Sequence, residues 1–290
     1  MTRTTATLVG FTAVALWALL ALFTVATAPV PPFQLNAMAF AIGGTVGLIW
    51  LGATGGFAQL ARVGWRVYAF GTIGLFGYHA FYFTALRLAP PAEAGLIAYL
   101  WPLLIVLFSG LLPGERLRAG HVIGALVSLA GAVLILGGGI GSGADGALAG
   151  YGFALACAFT WSGYSVLSRR LGTTPTASVA VFCLATAGLS ALAHLAFEET
   201  VRPVGTLGWA AVVGLGLGPV GLAFYTWDVG VKRGDIQLLG TASYAAPLLS
   251  TLVLIVAGMA EARRELLLAA ALITLGAILA ARASRKSRNA

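Results

Sequence analysis

Hydrophobic positions along the chain fall into ten long apolar runs, separated by short polar or basic connections. Each run is close to the roughly 20 residues that a helix needs to cross a bilayer. Because a segment in lipid must satisfy its own backbone hydrogen bonds, runs of this length predict helices rather than barrel strands. The runs cover about 7–27, 34–54, 66–88, 91–112, 119–139, 147–168, 177–197, 207–229, 234–257 and 265–282. We therefore expect an all-α polytopic membrane protein with ten transmembrane helices.

Composition supports a protein whose solvent is lipid. Hydrophobic residues make up 59% of the chain and charged residues 9%, whereas a soluble domain carries about 25% charged residues. The net charge is +8, but the basic residues stand singly or in pairs at the ends of apolar runs. This distribution is not the clustered basic patch of a nucleic-acid-binding protein.

Neither a metal site nor a nucleotide cofactor is expected. Three His and two Cys are widely separated, and Cys157 and Cys183 lie inside apolar runs, where packing is a better role than a disulfide. The chain has no phosphate-binding GxxxxGK[ST] motif and therefore no sign of an ATP-driven motor. Several glycines have the spacing of close helix contacts, namely Gly43, Gly44, Gly47, Gly71, Gly74, Gly77, Gly214, Gly216 and Gly218.

The distribution of Lys and Arg predicts the orientation in the membrane. With the N-terminus in the cytoplasm, thirteen of the 17 basic residues fall on the cytoplasmic side, and both termini are cytoplasmic. The other four, on the outer side, are Arg87, Arg202, Arg263 and Arg264. Ala26-Thr27-Ala28 at the end of the first run also resembles a signal-peptide cleavage site, although a retained first helix is the better interpretation because nine runs follow.

Landmarks of the first half recur in the second half at a nearly constant offset. Trp17 recurs as Trp161 and Tyr82 as Tyr225. The offset is 145 positions for three further pairs, which are Tyr99 and Tyr244, Pro102 and Pro247, and Gly131 and Gly276. A tandem copy of five spans must enter the membrane from the opposite side. The pattern therefore predicts two inverted repeats, residues 1–140 and 141–290, which is an architecture of secondary transporters that bind substrate between the halves.

The third run carries the first candidate substrate site. Tyr78 and Tyr82 are spaced i, i+4 and His79 and Tyr82 i, i+3, so one strip of helix presents two phenols and an imidazole. An ionisable residue at membrane depth usually faces protein or water, and His79 could relay a proton or contact a substrate carboxylate. A hydrogen bond to neighbouring protein would be the purely structural alternative.

Proline marks the fourth and ninth runs. Tyr99 and Trp101 lie about 200° apart on a straight helix and cannot face one cavity unless the helix breaks. Pro102 cannot donate to the carbonyl of Ala98 and so permits a kink there, and Pro247 repeats the pattern after Tyr244. Broken helices at matching positions of two halves are typical of a transporter site.

Other polar residues in the runs are harder to assign. Trp161 and Tyr164 share a face of the sixth helix and could line the same cavity as Trp17, or simply pack. Asp228 is expected to pair with Lys232 at i+4. His194 is expected at an exposed or interfacial position near an outer helix end.

The region from residue 85 to 135 resembles a known family. Its pattern consists of Ala85-Leu86, Ala92, Ala94-Gly95, Pro102, Gly114-Glu115-Arg116-Leu117, Gly124-Ala125 and Leu129-Ala130-Gly131. These residues resemble the EamA-type drug/metabolite transporters, and the aromatic set is most similar to the aromatic amino acid exporters among them. The second half departs at Ala260-Glu261-Ala262. The resemblance implies a ten-helix exporter in a bacterial-type inner membrane, with helices three, four, eight and nine around a central cavity.

We therefore expect a transporter that exports aromatic and other neutral amino acids by alternating access, and neither an enzyme nor a nucleic-acid-binding protein. A broad metabolite or drug effluxer, an intramembrane enzyme and a membrane scaffold are the alternatives. The sequence leaves open whether transport is proton-coupled or facilitated, and a monomer is one of the oligomeric states that it allows. The substrate-binding candidates are Trp17, Tyr78, His79, Tyr82, Tyr99, Trp101, Trp161, Tyr164, Tyr225 and Tyr244, with Pro102 and Pro247 as hinges.

Overall fold

The structure, a computed structural model, describes residues 1–136, 147–261 and 264–288. Every regular element in these ranges is helical. The predicted repeat boundary at 140/141 and Arg263 lie outside the described residues. The α-helices are α1 (Arg3–Trp17), α2 (Leu20–Ala26), α3 (Pro32–Thr54), α4 (Phe57–Leu60), α5 (Trp65–Leu88), α6 (Pro91–Ala98), α7 (Trp101–Ser109), α8 (Ala119–Leu136), α9 (Leu148–Arg170), α10 (Ser178–Phe197), α11 (Gly205–Leu217), α12 (Ala223–Arg233), α13 (Ile236–Ala242), α14 (Ala245–Val256) and α15 (Glu265–Arg288). A π-helical segment, Gly218–Leu222, joins α11 to α12.

Six helical stretches of the described chain are long and apolar enough to cross a membrane, and two shorter ones are also apolar. The six are Arg3–Ala26, Pro32–Thr54, Ser178–Phe197, Gly205–Arg233, Ile236–Val256 and Glu265–Arg285. Two of the ten predicted spans, α5 and α9, have 24 and 23 residues but are not among the six. Their Tyr, Trp, Ser, His and Gly residues lower the hydropathy, and these residues include several of the candidate site.

Large apolar side chains cover the outside of the bundle. Val256 is 89% exposed, Leu148 82% and Leu195 75%. Monomers in water rarely expose contiguous apolar surface of this kind, so these side chains are suited to contact lipid.

Four of these apolar stretches, three long and one shorter, are interrupted. The first breaks at Ala18 and Leu19, between α1 and α2. The others break between α6 and α7, at the π-helical segment, and between α13 and α14. Pro102 is the second residue of α7 and Pro247 the third residue of α14. The break that proline chemistry predicted next to Tyr99 is therefore confirmed, and it falls at Tyr99 and Leu100.

Glycine allows several helices to cross at backbone contact. A Cβ on Gly43 would lie 2.7 Å from the Cα of Gly221, and a Cβ on Gly230 would lie 2.6 Å from the Cα of Gly10. The crossings bring α3 to the π-helical segment and α1 to α12. Close packing of this kind supplies much of the association energy of helices in lipid, where no hydrophobic effect drives them together.

Candidate functional site

Aromatic rings from four other helices form a cluster with Trp17, near the end of α1. The centroid of the Trp17 ring lies 5.0 Å from Trp227 of α12, 5.9 Å from Trp161 of α9 and 6.0 Å from Trp101 of α7. Tyr78 of α5 joins through Trp161, at 5.4 Å. Edge-to-face and tilted pairs at these distances each contribute about 0.5–1.5 kcal/mol beyond area burial. We call the ring cluster these five rings together with Phe70, His79, Tyr82, Tyr99, Tyr164 and Phe224.

The ring cluster continues along α5 and α9. Tyr78 and Tyr82 are stacked, with centroids 6.2 Å apart and planes 3° from parallel. Trp161 stacks on Tyr164 at 5.4 Å, and Tyr164 stacks on Phe70 at 5.5 Å. The predicted helical strips of α5 and α9 therefore face each other.

Accessibility differs among the candidate residues. Trp101, Trp161 and Tyr164 are buried, with 3–4% of their surface exposed. The residues that remain half-buried are Trp17, Tyr78, His79, Tyr82, Tyr99 and Tyr225. The half-buried rings are the ones that a ligand could reach without displacing the buried ones.

His79 has one ring nitrogen committed to its own helix. Its Nδ1 lies 2.8 Å from the carbonyl oxygen of Leu75, and its ring meets Phe40 edge-on at 5.1 Å. Because a carbonyl only accepts, Nδ1 must carry the hydrogen. Nε2 of the neutral ring is then an acceptor, and only a protonated His79 could donate to a carboxylate. No residue in the described part of the chain forms a hydrogen bond with Nε2.

Tyr99 and Tyr244 join the two proline-broken helices through backbone groups at the breaks. The Tyr99 hydroxyl donates to the carbonyl of Ser243 at 3.3 Å, and the Leu103 N–H donates to the Tyr244 hydroxyl at 3.1 Å. Pro247 has no N–H for the Ser243 carbonyl, its partner in a regular helix. Tyr244 is fully buried, so its position suits holding the two breaks together better than contacting substrate.

Tyr225 lies outside the ring cluster, contrary to the expectation that it would line the site with the others. Its hydroxyl donates to the carbonyl of Gly43 at 3.0 Å. The residues of α12 that enter the cluster are Phe224 and Trp227, one helical turn apart. An offset of 145 positions, as for Tyr99 and Tyr244, would have paired Tyr82 with Trp227 rather than with Tyr225.

The π-helical segment supplies an acceptor to the centre of the cluster. The Trp17 indole N–H donates to the carbonyl of Pro219 at 3.1 Å. The Trp227 indole N–H donates to the hydroxyl of Ser165 at 3.0 Å. Both indole donors are therefore satisfied, and both rings are held in orientation.

An ionic network that the sequence did not predict ties several helices together at one end of the bundle. Glu115 accepts from Arg3 at 3.1 Å and also from Arg169. The Arg169 guanidinium donates in addition to the carbonyls of Val231 and Gly234, each at 2.9 Å. Only 6% of the Glu115 side chain is exposed. The network thus connects α1, the α7–α8 connection, the end of α9 and the junction of α12 with α13. We call the end of the bundle that contains Arg3, Glu115 and Arg169 the basic end.

Glu198 has a comparable position between α3, α5 and α10. It accepts from the N–H groups of Phe33 and Gln34 at 3.1 Å each, at the N-terminus of α3, and pairs with Arg87 at 2.7 Å. His194 contacts it at 3.1 Å and is buried, so the expectation of an exposed position is wrong, and an interfacial position stays a prediction. A buried carboxylate with these four partners provides a reason for the histidine to lie inside.

Asp228 forms the predicted i, i+4 pair with Lys232, at 2.8 Å, and both side chains are almost fully buried. Thr176 donates to Asp228 at 2.7 Å, and Lys232 donates to the carbonyl of Thr174 at 3.1 Å. The two charges are therefore compensated within the protein.

The chain matches known transporters over nearly its whole length. The EamA-like transporter family matches twice, at residues 4–137 and 148–282. The aromatic amino acid exporter YddG of Ancylobacter novellus is 59% identical over 289 residues, which is 99% of this chain and 100% of the relative. The exporter of the same name from Salmonella typhimurium is 26% identical, with 87% of this chain and 88% of the relative covered. A solved crystal structure, 58% identical, covers 98% of this chain and 100% of its own, with a TM-score of 0.93.

These matches agree with the apolar helices and the exposed apolar side chains of the bundle. The chain belongs to the EamA-like transporter family.

Proposed function

We propose that the chain exports aromatic amino acids from the cytoplasm and that the ring cluster is where they bind. The observation that carries the proposal is the group of half-buried rings around Trp17, contributed by α1, α5 and the break between α6 and α7. Stacked and edge-on rings suit an aromatic side chain. The 59% identical relative is named an aromatic amino acid exporter.

We infer that the membrane domain consists of ten spans in two inverted halves. The helix contacts support this arrangement, because they fall into pairs that a two-fold axis would interchange. The first and eighth spans pack through α1 and α12, and the third and sixth through α5 and α9. The second span packs on the seventh (α3 on α10) and the fifth on the tenth (α8 on α15), and the same axis would exchange the two members of each pair. The two separate family matches agree with this division.

Alternating access would use the two broken helices. Pro102 and Pro247 each start a half-helix that lacks one backbone hydrogen bond to the preceding turn. Each half-helix could therefore tilt at lower cost than a continuous helix. Pro102 and Pro247 act as hinges in this proposal, and Tyr99 and Tyr244 link the two of them.

The charged ends of the substrate need polar partners beside the rings. The Nε2 atom of His79 is the acceptor that the described residues leave open, and the hydroxyls of Tyr78 and Tyr82 lie on the same helix. A neutral His79 can accept a hydrogen bond from an α-ammonium group, and a protonated His79 can pair with an α-carboxylate.

The orientation proposed for the bundle follows the positive-inside rule, in a bacterial-type inner membrane with both termini in the cytoplasm. The basic end then faces the cytoplasm. The naming of the relatives as exporters supports transport over an enzymatic or scaffolding function.

Counterflow in proteoliposomes tests the proposal without assuming a coupling ion. Vesicles loaded with unlabelled Trp should accumulate labelled Trp, with competition by Phe and Tyr but not by Lys or glucose. Competition by cationic dyes and not by Phe would favour a broad drug effluxer. Absence of counterflow for every aromatic amino acid, in protein that unfolds cooperatively, would refute the proposal.

The variant His79→Phe isolates the role of the imidazole. Phe retains a ring against Phe40, 5.1 Å away in the wild type, but has no Nε2. We expect the Trp counterflow rate to fall at least tenfold, because a hydrogen bond to a charged group contributes about 1.5–3 kcal/mol and ~1.4 kcal/mol corresponds to a factor of ten. Tyr225→Phe, which changes a hydroxyl outside the ring cluster, is the control and should retain the rate.

A further inference from the structure

An apolar groove of about 320 Å³ lies between α7 and α9, outside the ring cluster. One wall is formed by Phe108, Leu111 and Leu112, and the other by Gly163, Val166 and Leu167. Leu111 is 74% exposed and Leu167 45% exposed. The groove therefore opens on the outer surface of the bundle, where the membrane would be.

The residues of α9 that line the groove lie on one helical face. Gly163, Leu167 and Arg170 follow the i, i+4, i+7 spacing. The lined stretch is about 10 Å long at 1.5 Å per residue. At the other side of Gly163, one turn away, Phe159 packs on Phe108 at 5.9 Å. The groove is thus apolar along its length, and Arg170 is its only charged lining residue in the described chain.

Unlike its neighbour Arg169, Arg170 forms no ion pair with a carboxylate of the described residues. Arg169 pairs with Glu115, whereas Arg170 donates to the carbonyl of Leu111 at 3.1 Å. The ion pairs of the described residues do not include Arg170, and its side chain is exposed. The remaining N–H groups of the guanidinium are available to an anion. Arg116, five residues after Leu111, adds a second exposed positive charge in the same connection.

We propose that this groove binds an anionic glycerophospholipid, with an acyl chain between α7 and α9 and the phosphate on Arg170. An apolar channel that ends in an unpaired guanidinium at the basic end complements the two parts of such a lipid. Basic pockets between helices on the cytoplasmic side are sites of anionic head groups. Arginine binds phosphate oxygens through two parallel hydrogen bonds. Free phosphate would leave the apolar walls unfilled, and a zwitterionic lipid would gain less from the arginine.

Two glycines of α9 provide a matched pair of variants. A Cβ on Gly163 or on Gly152 would meet no atom within 4 Å. Leu at either position should therefore fold, but only Gly163→Leu fills the groove, since Gly152 does not line it. Native mass spectrometry of delipidated protein, titrated with phosphatidylglycerol or phosphatidylcholine, measures the retained lipid directly.

Wild-type protein and Gly152→Leu should each retain one phosphatidylglycerol in preference to phosphatidylcholine, and Gly163→Leu should lose it. Arg170→Gln should weaken phosphatidylglycerol retention about fivefold, the equivalent of ~1 kcal/mol per basic residue near the membrane surface. Arg62→Gln, which removes an exposed arginine that does not line the groove, should change nothing. Equal retention of the two lipids, undiminished retention by Gly163→Leu, or a dimer that Gly163→Leu abolishes would overturn the proposal.

Discussion

Tyr244→Phe removes one oxygen atom from the contact between the two proline-broken helices. In the wild type this oxygen accepts the hydrogen bond of the Leu103 N–H at 3.1 Å. The ordinary acceptor of that N–H would be the carbonyl of Tyr99, four residues earlier, but the helix is broken there. Tyr244 is fully buried, so water does not readily replace the hydroxyl. The variant leaves a backbone N–H without a partner.

The cost of this loss can be bounded. An unsatisfied buried donor costs about 1–3 kcal/mol, while hydrogen bonds between helices in a membrane contribute ~0.6 kcal/mol on average and at most ~1.7. We therefore expect Tyr244→Phe to lower the free energy of unfolding by about 1 to 1.5 kcal/mol.

Tyr99→Phe is the matched comparison, with the same atom removed from the other half. The Ser243 carbonyl then loses a weaker bond of 3.3 Å but still accepts from the N–H of Ala246 at 3.1 Å. Nothing is left unsatisfied, and we expect a loss of about 0.5 kcal/mol or less. Unfolding in mixed micelles by increasing SDS, followed by circular dichroism, measures both variants. Equal losses, or a larger loss for Tyr99→Phe, would refute the reasoning.

Two further variants test the basic end and the π-helical segment by the same unfolding measurement. Glu115→Gln should lower the free energy of unfolding by about 1 to 2 kcal/mol, because Gln is neutral and has one acceptor oxygen in place of the two that Arg3 and Arg169 share. Unchanged stability would mean that the ionic network contributes little. Gly221→Ala should cost more than ~2 kcal/mol, since the new Cβ would lie 2.0 Å from the carbonyl oxygen of Gly216. Gly152→Ala, whose Cβ meets open space, should be neutral or slightly stabilising, and a similar loss in both alanine variants would contradict the steric argument.

The two helix breaks beside Pro102 and Pro247 were predictable because they depend on local covalent chemistry. Proline at position 102 lacks the donor that Ala98 would need, and the structure ends α6 at Ala98. The i, i+4 contact of Tyr78 with Tyr82 was predictable for the same local reason. Features that depend only on neighbours within a turn or two can be read from the sequence.

The contribution of α12 to the ring cluster was not predictable in this way. The sequence favoured Tyr225 by its similarity to Tyr82, but the structure places Phe224 and Trp227 in the cluster. A π-helical segment precedes α12 and rotates its residues relative to a regular helix. Its sequence, Gly-Pro-Val-Gly-Leu, carried no signal that distinguished it from a kink at Pro219. The offset of 145 positions, which three other pairs share, was the signal that could have identified Trp227.

The role of Glu115 required the tertiary structure. In the sequence it is part of the Gly-Glu-Arg pattern at the end of a span, and its partners Arg3 and Arg169 are 112 and 54 residues away. From the sequence alone, Arg3 and Arg169 indicated only which side of the membrane their helix ends occupy. Charges at helix ends have many candidate partners, and only the packing of the helices selects among them.

The exchange of hydrogen bonds between Tyr99 and Tyr244 bears on how the protein is made. Each tyrosine lies in one of the two family matches, 4–137 and 148–282, but forms a hydrogen bond with the backbone of the other. A newly inserted first half would hold the Leu103 N–H in lipid with no partner, at a cost that water cannot relieve. It would remain incompletely folded until the ribosome had delivered the ninth span. Co-expressed fragments ending and starting between residues 137 and 147 should therefore be degraded singly and accumulate together.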